Sequence, residues 1–161
     1  MVNLLGGFNG LEASLGIIYL SNLSLYAYVQ GSEIAALIGA ITCAALLAFL
    51  FFNWSPARIF PGDSLTYLLG GVLASMAIIG NIETAALIVS LPFFLEFILK
   101  MRGRLEKQSY GYSFEGKVKS FYDRIYSLPH FFTREGKFTE KQVVLFVCFI
   151  QLLFSLLIWL L

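Results

Sequence analysis

Charge is scarce in this sequence of 161 residues. Only 13% of the residues are charged and 58% are hydrophobic, whereas charged residues make up about 25% of a typical soluble domain. Charged side chains are absent from four long stretches, residues 13–32, 34–57, 64–82 and 142–161. Each stretch approaches the ~20 apolar residues that cross ~30 Å of hydrocarbon. The lack of charge therefore excludes an ordinary soluble domain and indicates an integral membrane protein.

Cysteine and histidine are equally sparse, with two cysteines and one histidine. Cys43 and Cys148 both fall inside predicted helices, so they are typical of small buried hydrophobic residues rather than of a disulfide or a metal-binding pair. The two thiols therefore say nothing about function.

The apolar stretches predict an all-α fold, a polytopic bundle of about five transmembrane helices. In the fourth helix, Glu96 and Lys100 fall near the far end, and a rise of about 1.5 Å per residue brings them to the membrane interface. We expect the loop before the last helix, residues 102–139, to be cytosolic and to contain some short β or turn structure. The predicted helices are 12–29, 34–53, 64–80, 83–101 and 140–161.

All eleven lysine and arginine residues lie in or beside two of the predicted loops. Arg58 lies in the loop 54–63, and the other ten lie in or beside the loop 102–139. Five alternating helices place these loops on one side of the membrane, and the positive-inside rule makes that side the cytosol. Residues 1–11 then face the cytosol as well. A basic surface next to lipid reflects topology and headgroup attraction, so we expect no nucleic-acid binding.

Two of the cytosolic segments have an unusual composition. Residues 3–12 read NLLGGFNGLE, and residues 53–64 read NWSPARIFPGDS. Taken singly, each residue has an ordinary interpretation: Asp63 suits a helix N-cap, Phe60 suits the membrane interface, and Asn3 suits a solvated loop. The order and the spacing of these residues are more specific than any one of them.

This order resembles the polyprenyl-phosphate N-acetylhexosamine-1-phosphate transferases of the glycosyltransferase 4 family. The resemblance covers roughly residues 1–104 and is weaker over 105–139. Bacterial members usually show a D-G-L-D-G-L pattern where this chain has GGFNGLE. The resemblance is therefore to the eukaryotic and archaeal branch, which acts on dolichyl phosphate.

The resemblance implies a reaction. Family members transfer N-acetylglucosamine 1-phosphate from UDP-N-acetylglucosamine to a polyprenyl phosphate with Mg²⁺ and release UMP, as the first step of lipid-linked oligosaccharide synthesis for N-glycosylation. Another amino sugar or polyprenol stays open, and so does a non-catalytic membrane subunit or a degenerate fragment. The compact loop favours an archaeal cell membrane over the endoplasmic reticulum, and a homodimer would be in keeping with the family.

The resemblance also implies roles for individual residues. Asn3 and Asp63 match the metal-ligand and catalytic positions, and Mg²⁺ prefers such oxygen donors. Phe60 matches an aromatic residue that packs on uracil, and Asn9 an amide that hydrogen-bonds the nucleotide. The glycines around them would let the backbone approach the substrate closely. The other expected substrate-binding residues are Leu4 near the lipid phosphate, Glu12, Arg58, the arginines Arg102 and Arg104 of MRGR beside the diphosphate, and His130, for which a solvated loop histidine is the alternative.

One family motif has no counterpart in this sequence, which holds no aspartate before Asp63. The family carries paired acidic residues and part of its sugar pocket in its N-terminal half. We therefore expect the chain to correspond to the C-terminal half, through a truncated or split gene, a partial gene model, or association with a separate N-terminal half. We expect no full activity from the chain alone.

Overall fold

A computed structural model describes residues 2–161 as a set of helices with one short hairpin. The prediction of a mainly helical protein agrees with this architecture. In chain order the elements are a 3₁₀ turn at Val2–Leu4, α1 at Leu11–Val29, α2 at Glu33–Asn53, α3 at Gly62–Gly80, α4 at Glu83–Val89, α5 at Leu91–Arg102, β1 at Gly111–Phe114, β2 at Lys117–Ser120, α6 at His130–Thr133, α7 at Glu140–Leu156 and a 3₁₀ turn at Leu157–Leu160.

Three helical segments are long and apolar enough to cross a membrane, namely α2, α3 and the continuous segment Glu140–Leu160. The pair α4 and α5 qualifies as a fourth segment if the two helices are taken together. The first predicted helix is present as α1, but α1 is not among the segments that meet the hydropathy criterion within residues 2–161. A count of five membrane-spanning helices therefore stays a prediction.

The polar character of α1 follows from its central position. It packs against α2, α3 and α7, and its side chains Leu15, Tyr19 and Leu23 are almost fully buried. Ser24 on α1 donates a 2.6 Å hydrogen bond to the Ala36 carbonyl of α2. A helix enclosed by protein can carry such hydroxyl groups, because its neighbours satisfy them without lipid contact.

The prediction of one continuous helix over residues 83–101 is wrong. The structure breaks it at Ser90, and the axes of α4 and α5 differ by 52°. Pro92 explains the break, because proline has no N–H to donate to the carbonyl of Ile88 and its ring disfavours an uninterrupted helix. The Val89 carbonyl instead accepts a 2.8 Å hydrogen bond from Nε2 of Gln151 on α7.

The segment between α5 and α7 contains an antiparallel hairpin, with Gly111 opposite Ser120. Glu115 and Gly116 form its turn with φ of 50° and 76°, the left-handed pair that a tight two-residue hairpin requires. A Cβ at position 111 would clash with the Lys119 carbonyl, so glycine is needed there. The hairpin follows directly on residues 105–110, which form one side of the site described next.

Candidate functional site

A cavity of about 370 Å³ lies where the first residues of the chain meet the start of α3 and the end of α5. It brings together four of the residues singled out in the sequence: Asn3, Leu4, Glu12 and Asp63. Residues 105–110, which we call the wall segment, form the opposite side. The remaining lining residues are Gly6, Gly7, Gly62, Thr66 and Lys100.

Asn3 and Asp63 are linked through Thr66, a residue that lies outside both sequence motifs. The Thr66 hydroxyl lies 3.1 Å from Oδ1 of Asn3 and 3.0 Å from the main-chain carbonyl of Asp63, so its one hydrogen serves either acceptor. Thr66 is buried, whereas Asn3 and Asp63 are exposed to the cavity side. A position three residues after Asp63 on one helix face is the pattern that could have revealed it.

The N-cap interpretation of Asp63 is wrong. The N-cap of α3 is Pro61, and within residues 2–161 the structure gives this helix no side-chain cap. Asp63 lies inside the first turn, where the helix dipole favours a negative charge. Its carboxylate is therefore not used to begin the helix.

The donor atoms around Asn3 and Asp63 fit a magnesium ion that shares its coordination with a substrate. An amide oxygen and a carboxylate are suitable ligands, and Mg²⁺ commonly takes only one or two carboxylates and completes its shell with phosphate and water. Within residues 2–161 no group of three or more His, Cys, Asp or Glu side chains could hold a metal ion.

Glu12 explains one of the glycines of the first motif. Its Oε1 accepts a 3.0 Å hydrogen bond from the Gly7 amide, and its Oε2 has no partner among the described residues although the side chain is buried. A Cβ on Gly6 would lie 2.7 Å from Oε1 of Glu12. A Cβ on Gly7, where φ is 105°, would lie 2.7 Å from a ring carbon of Tyr110. The absence of a Cβ at Gly6 and Gly7 therefore leaves room for the side chains of Glu12 and Tyr110, in addition to any role toward a substrate.

Asn9 lies outside the described lining of the cavity. Its backbone N–H donates to Oε1 of Glu140 at 2.8 Å, and its Nδ2 donates to Oε2 of the same carboxylate at 3.3 Å. Ser55 donates to Oε2 as well, at 3.3 Å. Glu140 therefore ties the first motif and the α2–α3 loop to the start of α7.

The aromatic and arginine candidates are also found away from the described lining. Phe60 is 73% exposed, and Arg58, Arg102 and Arg104 are exposed. Their substrate-binding roles, like that of Asn9, stay predictions.

The solvated-loop interpretation of His130 is wrong, because this side chain is fully buried. Its Nδ1 accepts from the Tyr126 amide at 3.2 Å, and its Nε2 lies 3.0 Å from the Gln108 carbonyl of the wall segment. These partners assign the hydrogen to Nε2 in the neutral ring. Burial lowers the pKa of His130, helped by the nearby Lys100 ammonium and opposed by the hydrogen bond to Gln108.

Glu96 and Lys100 are buried beneath the wall segment instead of lying at an open interface. Lys100 Nζ donates to the Lys107 carbonyl at 2.6 Å. Glu96 accepts from the Ser127 hydroxyl and the Leu128 amide, each at 2.7 Å, and from the Ser109 hydroxyl at 3.4 Å. The two buried charged residues of α5 therefore hold the chain that follows them.

The polar cavity continues into an apolar groove between α3 and the α4–α5 pair. A second cavity of about 270 Å³ shares Asn3 and Thr66 with the first. A third, of about 340 Å³, overlaps the second at Gly70 and Leu73 and extends to Ile78. We call this the α3–α4 groove; its first part is also lined by Tyr67, Leu87, Ser90, Phe93 and Phe94.

Comparison with known proteins connects this arrangement to one family. Residues 1–81 match glycosyl transferase family 4. The chain is 36% identical over 157 residues to a Sulfolobus acidocaldarius protein with the provisional name UDP-N-acetylglucosamine–dolichyl-phosphate N-acetylglucosaminephosphotransferase. It is 35% identical over 156 residues to a Saccharolobus solfataricus protein with the same name.

A bacterial relative matches a shorter region. The chain is 38% identical over 100 residues, 62% of its length, to the phospho-N-acetylmuramoyl-pentapeptide-transferase of Staphylococcus saprophyticus, and this match covers 31% of that protein. The two archaeal matches cover 96% and 95% of this chain but 48% of each relative. The chain thus spans about half the length of the archaeal relatives it matches.

Proposed function

The chain belongs to glycosyl transferase family 4, and from that premise we propose that it takes part in moving N-acetylglucosamine 1-phosphate from UDP-N-acetylglucosamine to dolichyl phosphate or a related polyprenyl phosphate. The products are the lipid diphosphate sugar and UMP. The names of the archaeal relatives support this choice of substrates. In a cell the reaction would begin lipid-linked oligosaccharide synthesis for N-glycosylation.

The observation that carries the proposal is the junction of the polar cavity with the α3–α4 groove at Asn3 and Thr66. A polyprenyl phosphate has a charged head on a long hydrocarbon chain. The apolar side chains that line the groove can contact the hydrocarbon chain, while the polar groups that line the cavity can bind the head. Both parts of such a lipid therefore meet matching surfaces at one point of the fold.

The chain's own residues would position the reactants. Asn3 and Asp63 would hold Mg²⁺, which when bound neutralises charge on the diphosphate. Thr66 fixes the Asn3 amide oxygen from below. An oxygen of the lipid phosphate bonds to the sugar-bearing phosphorus, and the bridging oxygen leaves with UMP. Orientation and electrostatic stabilisation would supply most of the acceleration.

The proposal includes a topology. The described helices would make five crossings, with α1 inside the bundle, and would place the cavity on the cytosolic face, where nucleotide sugars are found. An archaeal cell membrane is our first choice of compartment, in line with the archaeal relatives.

A transfer assay tests the proposal. Membranes that hold this chain alone, or together with the portion of the Sulfolobus relative that it does not match, receive radiolabelled UDP-N-acetylglucosamine, dolichyl phosphate and Mg²⁺. We expect lipid-linked product in the joint sample. Asp63→Asn should abolish it, whereas the matched control Glu33→Gln, an exposed acidic residue in the first turn of α2, should retain it.

Two results would contradict the proposal. Product formation that survives Asp63→Asn would remove the assigned role of Asp63. A stably inserted chain without product in either sample would favour a non-catalytic membrane subunit.

A further inference from the structure

Three consecutive residues of the wall segment are each held by a different buried ionisable side chain. Lys100 donates to the carbonyl of Lys107 at 2.6 Å, and His130 donates to the carbonyl of Gln108 at 3.0 Å. Glu96 lies 3.4 Å from the hydroxyl of Ser109, which also lies 3.2 Å from the Leu4 carbonyl. Residues 107, 108 and 109 of the wall segment therefore each contact a different buried side chain.

This arrangement is costly to build, which argues that the position of the wall matters. Ionisable groups removed from water lose solvation that only good hydrogen bonds restore. Glu96 and His130 are fully buried, and Lys100 is nearly so. Lys100 and His130 donate directly to the carbonyls of Lys107 and Gln108. Glu96 bonds mainly to Ser127 and Leu128 and contacts Ser109 at 3.4 Å, so it joins the wall segment to the chain before α6.

The turn that leads from α5 into the wall segment is also strained. Arg104 and Leu105 have φ of 55° and 61°, a region that side chains other than glycine adopt infrequently. The Lys100 carbonyl accepts from both the Gly103 and the Leu105 amides at 2.9 Å. Such a conformation persists when surrounding contacts impose it, and Lys100 supplies contacts through both its main chain and its side chain.

We propose that Lys100, His130 and Glu96 are positioning residues that hold residues 107–109 in the shape required to bind the nucleotide-sugar head group. The inference rests on the proposed function for the identity of that ligand. It gives His130 a role through the backbone of Gln108 instead of direct substrate contact. The three residues set affinity, because a preformed wall spares the ordering that binding would otherwise require.

Lys100→Met is the first variant to test, since it removes the donor and keeps most of the apolar stem. Hydrogen exchange of the Leu105 and Glu106 amides, which donate to the Lys100 and Gly103 carbonyls, should rise about tenfold while exchange in α2 and α3 stays unchanged, because local opening is independent of global unfolding. Lys100→Arg should restore part of the protection, and the exposed Lys117→Met serves as matched control.

The kinetic result separates positioning from simple structural support. In the joint membranes described above, Lys100→Met should raise the KM for UDP-N-acetylglucosamine several-fold with little change in kcat, the pattern of lost binding. Glu96→Gln, with the exposed Glu115→Gln as its control, and His130→Gln should act in the same direction. If Lys100→Met fails to fold, Glu96→Gln or His130→Gln provides the same test.

The outcomes distinguish this inference from the proposed function. Unchanged wall exchange in Lys100→Met, or a loosened wall with an unchanged KM, would overturn the positioning role while transfer by the unsubstituted chain still stands. A chain without transfer and without UDP-N-acetylglucosamine binding would overturn the proposed function and, with it, the ligand assigned to the wall.

Discussion

The Thr66 hydroxyl connects the side chain of Asn3 to the main chain of α3. It lies within hydrogen-bond distance of the Asn3 amide oxygen and of the Asp63 carbonyl, and both residues line the cavity. Asn3 belongs to the first turn of the chain and Asp63 to α3. The Thr66 hydroxyl therefore links the first turn of the chain to α3 near Asp63.

Thr66→Val should weaken transfer by misplacing Asn3. The change keeps the side-chain shape and removes the hydroxyl, so we expect a loss of about 1 kcal/mol of interaction, which corresponds to about a fivefold higher apparent requirement for Mg²⁺. Titration of the transfer rate with Mg²⁺ measures it. Thr66→Ser keeps the hydroxyl and should behave nearly as the unsubstituted chain; an unaltered Mg²⁺ dependence in the valine variant would contradict the assignment.

His130 makes the stability of the wall segment depend on pH. Burial lowers the pKa of His130 in the folded chain, whereas the pKa of this histidine in the unfolded chain is about 6.5. The unfolded state therefore binds the proton first as pH falls, so the stabilisation is complete above about pH 6.5 and is lost as pH decreases through the folded pKa. Protonation would also turn Nδ1 into a donor facing the Tyr126 amide.

Hydrogen exchange of the Leu105 and Glu106 amides of the wall segment, measured between neutral pH and pH 5 and corrected for the intrinsic rates, checks this expectation. The unsubstituted wall should open more readily below about pH 6.5. His130→Gln should show a weaker wall whose opening no longer varies with pH in that window. A pH response that persists in His130→Gln would assign the effect to another group.

The sequence could single out only those site residues that lie in a recognisable local order, and their roles stay predictions. Asn3 and Asp63 lie in contiguous motifs and line one cavity. Thr66, Lys100 and Glu96 have no such motif, because their roles arise from contacts between segments distant in sequence. Glu96, for example, meets Ser127 thirty-one positions along the chain.

At the scale of elements, the break between α4 and α5 could have been read from the sequence. Pro92 lies in the middle of the predicted helix 83–101, and proline within a helical pattern commonly ends or kinks the helix. The partner that accommodates the break was less accessible to prediction. Gln151 lies on α7, and only the packing of α7 beside the break brings its amide to the Val89 carbonyl.

Gln151→Leu should destabilise the bundle at this break. The variant leaves the buried Val89 carbonyl without its side-chain donor, which costs about 1 to 3 kcal/mol in a soluble protein and closer to 1 kcal/mol in a membrane bundle. Thermal unfolding of the purified protein in detergent should show a lower Tm. Gln30→Leu, an exposed glutamine just beyond α1, provides the control.

Equal Tm values for Gln151→Leu and the unsubstituted protein would show that the Val89 carbonyl finds another donor. A lower Tm in Gln30→Leu alone would place the sensitive contact elsewhere.

Across the whole molecule, side-chain contacts gather the basic segments at one end of the bundle. Ser109 of the wall segment lies against the Leu4 carbonyl, and Ser55 of the α2–α3 loop lies against Glu140 at the start of α7. The charge pattern predicted this grouping without any knowledge of the contacts. The number of crossings stays a prediction, because the sequence predicts a spanning helix at α1 whereas α1 does not meet the hydropathy criterion within residues 2–161.

Cysteine labelling tests the resulting topology. Cys43 and Cys148 are buried, so replacing both by alanine gives a chain without thiols and leaves its surface nearly unchanged. Lys117→Cys in the hairpin and Gln30→Cys beyond α1 then place single thiols at exposed positions. We expect a membrane-impermeant maleimide to label Gln30→Cys in intact cells and Lys117→Cys only after permeabilisation, because the eleven basic residues favour the cytosolic side. The reverse order would put the cavity outside the cell, away from nucleotide sugars. Labelling of both thiols in intact cells would require an even number of crossings between residues 30 and 117, and would contradict three crossings made by α2, α3 and the α4–α5 pair.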